Sequence, residues 1–117
     1  MARFENTGGS GDLHQESILV KSGSKYHRVC LTDILYVKAA GNYVAFVTRD
    51  KEIMSLMRMK DAVTMLPDGL FIRIHRSFIV SAGHVEVVGK DNVVAGGRSI
   101  PVGDKYREAF FERLGRD

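Results

Sequence analysis

"ILYVKAAGNYVAFVTRDKEIMSL" (residues 34–56) holds three β-rich runs separated only by turn chemistry, Gly41–Asn42 after the first and Arg49–Asp50–Lys51 after the second. Connections this short cannot carry a crossover helix, so the runs read as antiparallel neighbours in one sheet. The middle run, "YVAFVT" (43–48), is apolar on both phases. Val44 and Phe46 project to one side, and Tyr43, Ala45 and Val47 to the other. A strand of that kind is covered on both faces and belongs in the middle of a domain.

The same texture extends outward. Upstream, "SILVK" (17–21) and "YHRVCL" (26–31) flank the turn "SGS", and the Arg28 lane of the second run marks a face that meets water. Downstream, Met59, Ala62, Val63 and Leu66 fall at helical spacing, and Pro67, Asp68 and Gly69 end that helix. Then come "FIRIHRSFIVS" (71–81), "HVEVV" (84–88), "NVVA" (92–95) and "RSIPV" (98–102). Gly96–Gly97 suits a two-residue hairpin, whose central positions want positive φ. Pro101, with no N–H, marks an edge strand or a strand end. The closing "DKYREAFFERLGRD" carries a helical stripe of Tyr106, Ala109, Phe110 and Leu114, with Asp104 favouring its start and Arg113 its end. The expected fold is mostly β, small antiparallel sheets with two short helices. Residues 1–16, polar and glycine-clustered, read as a flexible tail or linker, leaving residues 17–117 as one domain.

The balance of 17 Lys+Arg against 14 Asp+Glu, net +3, permits a polyanion partner without demanding one. No apolar run is long enough to span a bilayer and no secretory h-region opens the chain. The single cysteine, Cys30, is expected as a buried, reduced thiol, so the setting reads as cytoplasmic. The methionines at 54, 57, 59 and 65 read as core filler.

Catalytic constellations are missing from the pattern. His14, His27, His75 and His84 show no ligand spacing, so no metal or cofactor is expected. Ser77 shares a strand face with His75 but lies on no G-x-S-x-G turn and has no third group to orient the histidine. The glycines match no phosphate-loop spacing. What stands out is donor chemistry at element boundaries: Lys38, Asn42 and Tyr43 in "KAAGNY"; Arg73, His75, Arg76 and Ser77 in "RIHRS"; Lys105 and Arg107 in "GDKYR". Arginine can meet guanine through two parallel hydrogen bonds, and asparagine can meet adenine likewise. Taken singly, each segment reads first as an ordinary solvated loop.

These residues resemble the LytTR-type DNA-binding domain, the output module of a class of bacterial response regulators of two-component systems. "DILYVKAAGNYVAFVTRD" (33–50), "LPDGLFIRIHRSFIVS" (66–81) and "RSIPVGDKYREAFFERL" (98–114) are similar to its motifs in order and spacing. The resemblance implies an elongated, almost all-β fold. It implies loops that read successive major grooves of double-stranded DNA at paired promoter repeats, often as a homodimer, with a receiver domain upstream. It places base reading around Asn42 and Tyr43, at Arg76, and around Gly103–Lys105. Gly103 and Asp104 depart from the basic or hydroxyl residues common there, and Ser81 replaces the usual asparagine.

The resulting expectation is a sequence-specific, non-enzymatic transcriptional regulator, with Lys38, Asn42, Tyr43, Arg73, His75, Arg76, Ser77, Lys105 and Arg107 at the DNA. The alternative is a non-enzymatic β-rich protein-interaction module, and a hydrolase using His75 and Ser77 is the weakest reading. Under the leading expectation "FIRIHRSFIVS" is two half-strands around a corner. Arg73 either pairs on the sheet face or touches phosphate, and His75 either holds the corner or touches a base.

Overall fold

The computed structural model describes residues 16–115. The tail read over residues 1–16, His14 included, lies outside the described residues apart from Glu16, as do residues 116–117. The meander expected at 34–56 is present as β3 (Ile34–Ala40), β4 (Tyr43–Thr48) and β5 (Glu52–Leu56). β6 (Phe71–His75) and β7 (Phe78–Ser81) join it through β7 to give one antiparallel sheet of order β5-β4-β3-β7-β6. The hairpin β1 (Ser17–Ser22)–β2 (Lys25–Cys30) forms a second sheet. β8 (Val85–Val88), β9 (Asn92–Ala95) and β10 (Arg98–Pro101) form a third, with β10 at its edge as Pro101 requires. The helices are α1 (Met59–Met65) and α2 (Asp104–Gly115).

The two-phase apolar pattern of the central sheet explains the layering. One face, carrying Val37, Val44, Phe46, Ile53, Phe71 and Ile79, buries against Val20 and Val29 of the hairpin and Met59, Ala62 and Leu66 at α1. The other face, carrying Tyr36, Val47, Ile72, Ile74 and Val80, buries against Val93, Ala95, Ile100, Val102 and Phe110. Each fully buried aliphatic or aromatic side chain contributes about 1.5–3 kcal/mol. The described chain measures 44 × 34 × 23 Å along its principal axes, consistent with stacked small sheets. Among the described residues no helix is long and apolar enough to cross a membrane.

Four expectations are corrected. Cys30 is a free thiol but only half-buried, because the register pairs it with Ser17 on the outer side of the hairpin. Met54 is exposed, since it faces away from the hairpin side while Ile53 faces inward. Ala109 is exposed, because α2 turns Phe110, Tyr106 and Leu114 inward instead. Tyr43 is 45% exposed although its neighbours in β4 are buried.

Gly96 and Gly97 have φ of 61° and 78°, so the β9–β10 hairpin requires the left-handed region there. Gly97→Ala is expected to cost about 1–2 kcal/mol for placing a Cβ in that region. Gly96→Ala costs more, because its Cβ would stand 2.8 Å from Leu35 Cδ1. A lower urea midpoint for both, lower for Gly96→Ala, is the expected measurement; unchanged midpoints would contradict this turn.

Candidate nucleic-acid interface

Strand direction brings the marked segments together. β3 runs toward the Gly41–Asn42 turn, and β7 starts beside the same end of β3, with Lys38 opposite Phe78. The Ala39 N–H donates to the Ser77 carbonyl at 2.9 Å, tying the β3–β4 turn region to the β6–β7 corner. The Gly103 N–H donates to the Ile74 carbonyl at 2.7 Å, which seats the start of α2 against that corner. "KAAGNY", "RIHRS" and "GDKYR" therefore share one end of the central sheet.

Within this group the side chains divide by what already holds them. Asn42, Arg76 and Lys105 are exposed, and among the described residues no hydrogen bond or ion pair engages the Arg76 guanidinium. Tyr43 is exposed beside Asn42. Lys38 pairs with Glu52 at 3.7 Å, its side chain 23% exposed. His75 Nδ1 accepts the Ser77 backbone N–H at 3.0 Å, and its ring meets Phe78 edge-on. The Ser77 hydroxyl is not the group that meets the imidazole, so the pair has the geometry of a turn and not of an activated nucleophile.

Arg73 and Arg107 are turned toward the protein. Arg73 donates from Nε to the His75 carbonyl at 3.3 Å and from Nη2 to the Arg76 carbonyl at 2.6 Å. Arg107 donates to the Lys90 and Val102 carbonyls at 3.1 and 3.2 Å, and to Asp91 and Asp104 carboxylates at 3.1 and 2.8 Å. It fastens the β8–β9 turn and the end of β10 to α2. The Asp104 carboxylate beside the site thus shares the Arg107 charge with Asp91, which partly offsets the repulsion a bare carboxylate would offer an incoming phosphate.

Two cations outside the motif segments also reach this end. Arg58 and Asp61 line an open cleft with Asn42 and Tyr43, and Asp61 accepts the Arg58 backbone N–H at 3.2 Å. Lys21 and Gly23 at the hairpin tip line a second cleft with Tyr43 and Leu56. A signal for Arg58 exists in the sequence: a three-strand meander returns the end of its third strand to the side of its first turn. Lys21 carried no such signal, since the docking of β1–β2 is tertiary.

The model of the LytTr DNA-binding domain family matches residues 24–115. Over 69 residues the chain is 30% identical to the transcriptional regulatory protein NatR of Bacillus subtilis, covering 59% of this chain and 30% of that protein. Over 65 residues it is 37% identical to the heme-containing CO-sensing transcriptional regulator RcoM 1 of Paraburkholderia xenovorans, covering 55% and 24%. The chain thus spans about a quarter to a third of the length of these curated relatives. Its fold is similar to a solved LytTr DNA-binding domain of a putative methyl-accepting/DNA response regulator from Bacillus cereus. The TM-score is 0.75 at 23% identity, over 85% of this chain and 96% of that one.

Proposed function

The chain belongs to the LytTr DNA-binding domain family, and on that premise we propose that it reads a specific sequence in double-stranded DNA as the output part of a bacterial transcriptional regulator. The observation that carries this reading is the convergence of three donor-bearing segments at one end of the central sheet, with Asn42, Arg76 and Lys105 exposed there. In this reading Arg76 and Asn42 enter the major groove and contact base edges, while Lys105, Arg58 and Lys21 meet phosphates on either side. Tyr43 packs along the sugar–phosphate wall next to Asn42. Lys38, His75 and Ser77 support the loops from behind. Two copies on paired repeats and a receiver or sensor domain elsewhere in a longer chain complete the regulator, and no chemical reaction is assigned to it.

Selection from random duplexes followed by sequencing tests the proposal, and a paired-repeat consensus is the expected result. Affinity for that consensus should fall with salt along a log–log slope of about −3 to −5 per domain, corresponding to roughly 3–5 neutralised phosphates. Equal affinity for every duplex at physiological salt would return the reading to a protein-interaction module.

A further inference from the structure

The β6–β7 corner contains a register shift between Arg73 and His75. Such a shift removes ladder partners, so the carbonyls at the bend need donors from elsewhere. Arg73 supplies them: one guanidinium serves the His75 carbonyl at 3.3 Å and the Arg76 carbonyl at 2.6 Å. The same guanidinium lies over the Tyr106 ring, 5.7 Å from its centroid. Tyr106 belongs to the first turns of α2, and its N–H donates to the Gly103 carbonyl at 3.0 Å. The Gly103 N–H returns to the Ile74 carbonyl at 2.7 Å, which closes the circuit on β6. Gly103 packs its backbone against both rings, since a Cβ there would stand 3.3 Å from Tyr106 Cδ2 and 3.5 Å from His75 Cδ2.

We propose that Arg73 and Tyr106 are positioning residues for sequence discrimination. Together they lock the corner and the start of α2 into one unit, so that Arg76 and Lys105 reach the duplex at a fixed separation. The proposal rests on the DNA-reading role of Arg76 given above. Its physical basis is the planar fork of arginine, which places two donors at fixed spacing on two successive bend carbonyls while its face stays free to stack on an aromatic ring. A lysine carries the same charge but not the fork. A side chain that reads a base must be delivered in a narrow range of orientations, and the group that holds its backbone sets that range.

The test compares wild type, Arg73→Ala, Arg73→Lys, Tyr106→Leu, Arg76→Ala and the Arg73→Ala/Arg76→Ala pair. Each is titrated against the selected duplex and its single-base variants at several salt concentrations, with thermal melts as a check on folding. Arg73→Ala is expected to reduce discrimination about tenfold, within the loss expected for Arg76→Ala itself. It should leave the salt slope as in wild type, because no phosphate contact is lost. Arg73→Lys should not restore discrimination, Tyr106→Leu should lower it in the same direction, and the double variant should lose no more than Arg76→Ala alone. A slope shallower by about one unit with rescue by Arg73→Lys would make Arg73 a phosphate contact and overturn the proposal. Additive losses in the double variant, or full discrimination in Arg73→Ala, would overturn it as well. If Arg73→Ala does not fold, Tyr106→Leu decides the same question, and wild-type discrimination in that variant overturns the brace. Failure of the wild type to select any sequence would instead strike the DNA-reading assignment.

Discussion

Arg76→Ala is expected to relax the discrimination between the selected duplex and its variants at one base position while leaving the fold unchanged. The two halves of this prediction have separate causes. Arg76 is exposed at the corner between β6 and β7, and among the described residues its guanidinium has no partner, while its backbone carbonyl accepts from Arg73. Truncation therefore leaves no buried donor without a partner, and stability should stay within about 0.5 kcal/mol of wild type. At the duplex, a bidentate arginine contact accounts for about 1–3 kcal/mol, equivalent to roughly 5- to 150-fold in affinity for the right base. Because a base contact releases few counterions, the loss should be concentrated at one position of the site and change the salt slope little. Lys105→Ala gives the opposite signature, a uniform loss over all sequences with a shallower slope. Fluorescence titrations in which Arg76→Ala ranks duplexes as wild type does would remove Arg76 from the reading group.

Much of this arrangement was legible because it rests on local rules. The β3–β4–β5 meander follows from period-2 apolarity and short turns, and α1 follows from the spacing of Met59, Ala62 and Leu66 before Pro67. The corner in "FIRIHRSFIVS" was legible too, since apolar residues on both sides bracket a polar centre. What the sequence could not reveal is where donors are already spent. Arg107 looks as available as Lys105, yet its guanidinium is consumed by Lys90, Asp91, Val102 and Asp104, the first two of which are brought to it only by the folding of β8–β10. Arg73 and Arg76 are equally basic and three residues apart, yet one faces the bend carbonyls and the other faces outward. The same limit explains Ala109 and Cys30. Which side of an amphipathic element is covered depends on the partner it meets, and helix or strand period alone leaves a margin of one position.

The largest stability loss is expected from Phe110→Ala. Phe110 is completely buried in the cluster with Ile72, Ile74, Val80, Val93 and Ile100, against which the half-buried Leu114 of α2 also packs. Removing a fully buried phenylalanine loses its transfer free energy and leaves a cavity, together about 3–5 kcal/mol. Against a total stability of about 5–15 kcal/mol for a domain this size, that is about a fifth or more of what holds it folded. The neighbouring Phe111 is 38% exposed and supplies the control: Phe111→Ala should cost about 1 kcal/mol or less. The difference between the two variants carries information about the interface as well. α2 seats Gly103 and Tyr106 on the β6–β7 corner, so loosening its anchor should also weaken DNA reading at temperatures where the remaining sheet is folded. Urea melts and duplex titrations on the two variants separate these effects. Equal midpoints for Phe110→Ala and Phe111→Ala would mean that α2 is not fastened through Phe110. A Phe110→Ala protein that reads DNA normally just below its midpoint would mean that the corner keeps its shape without α2.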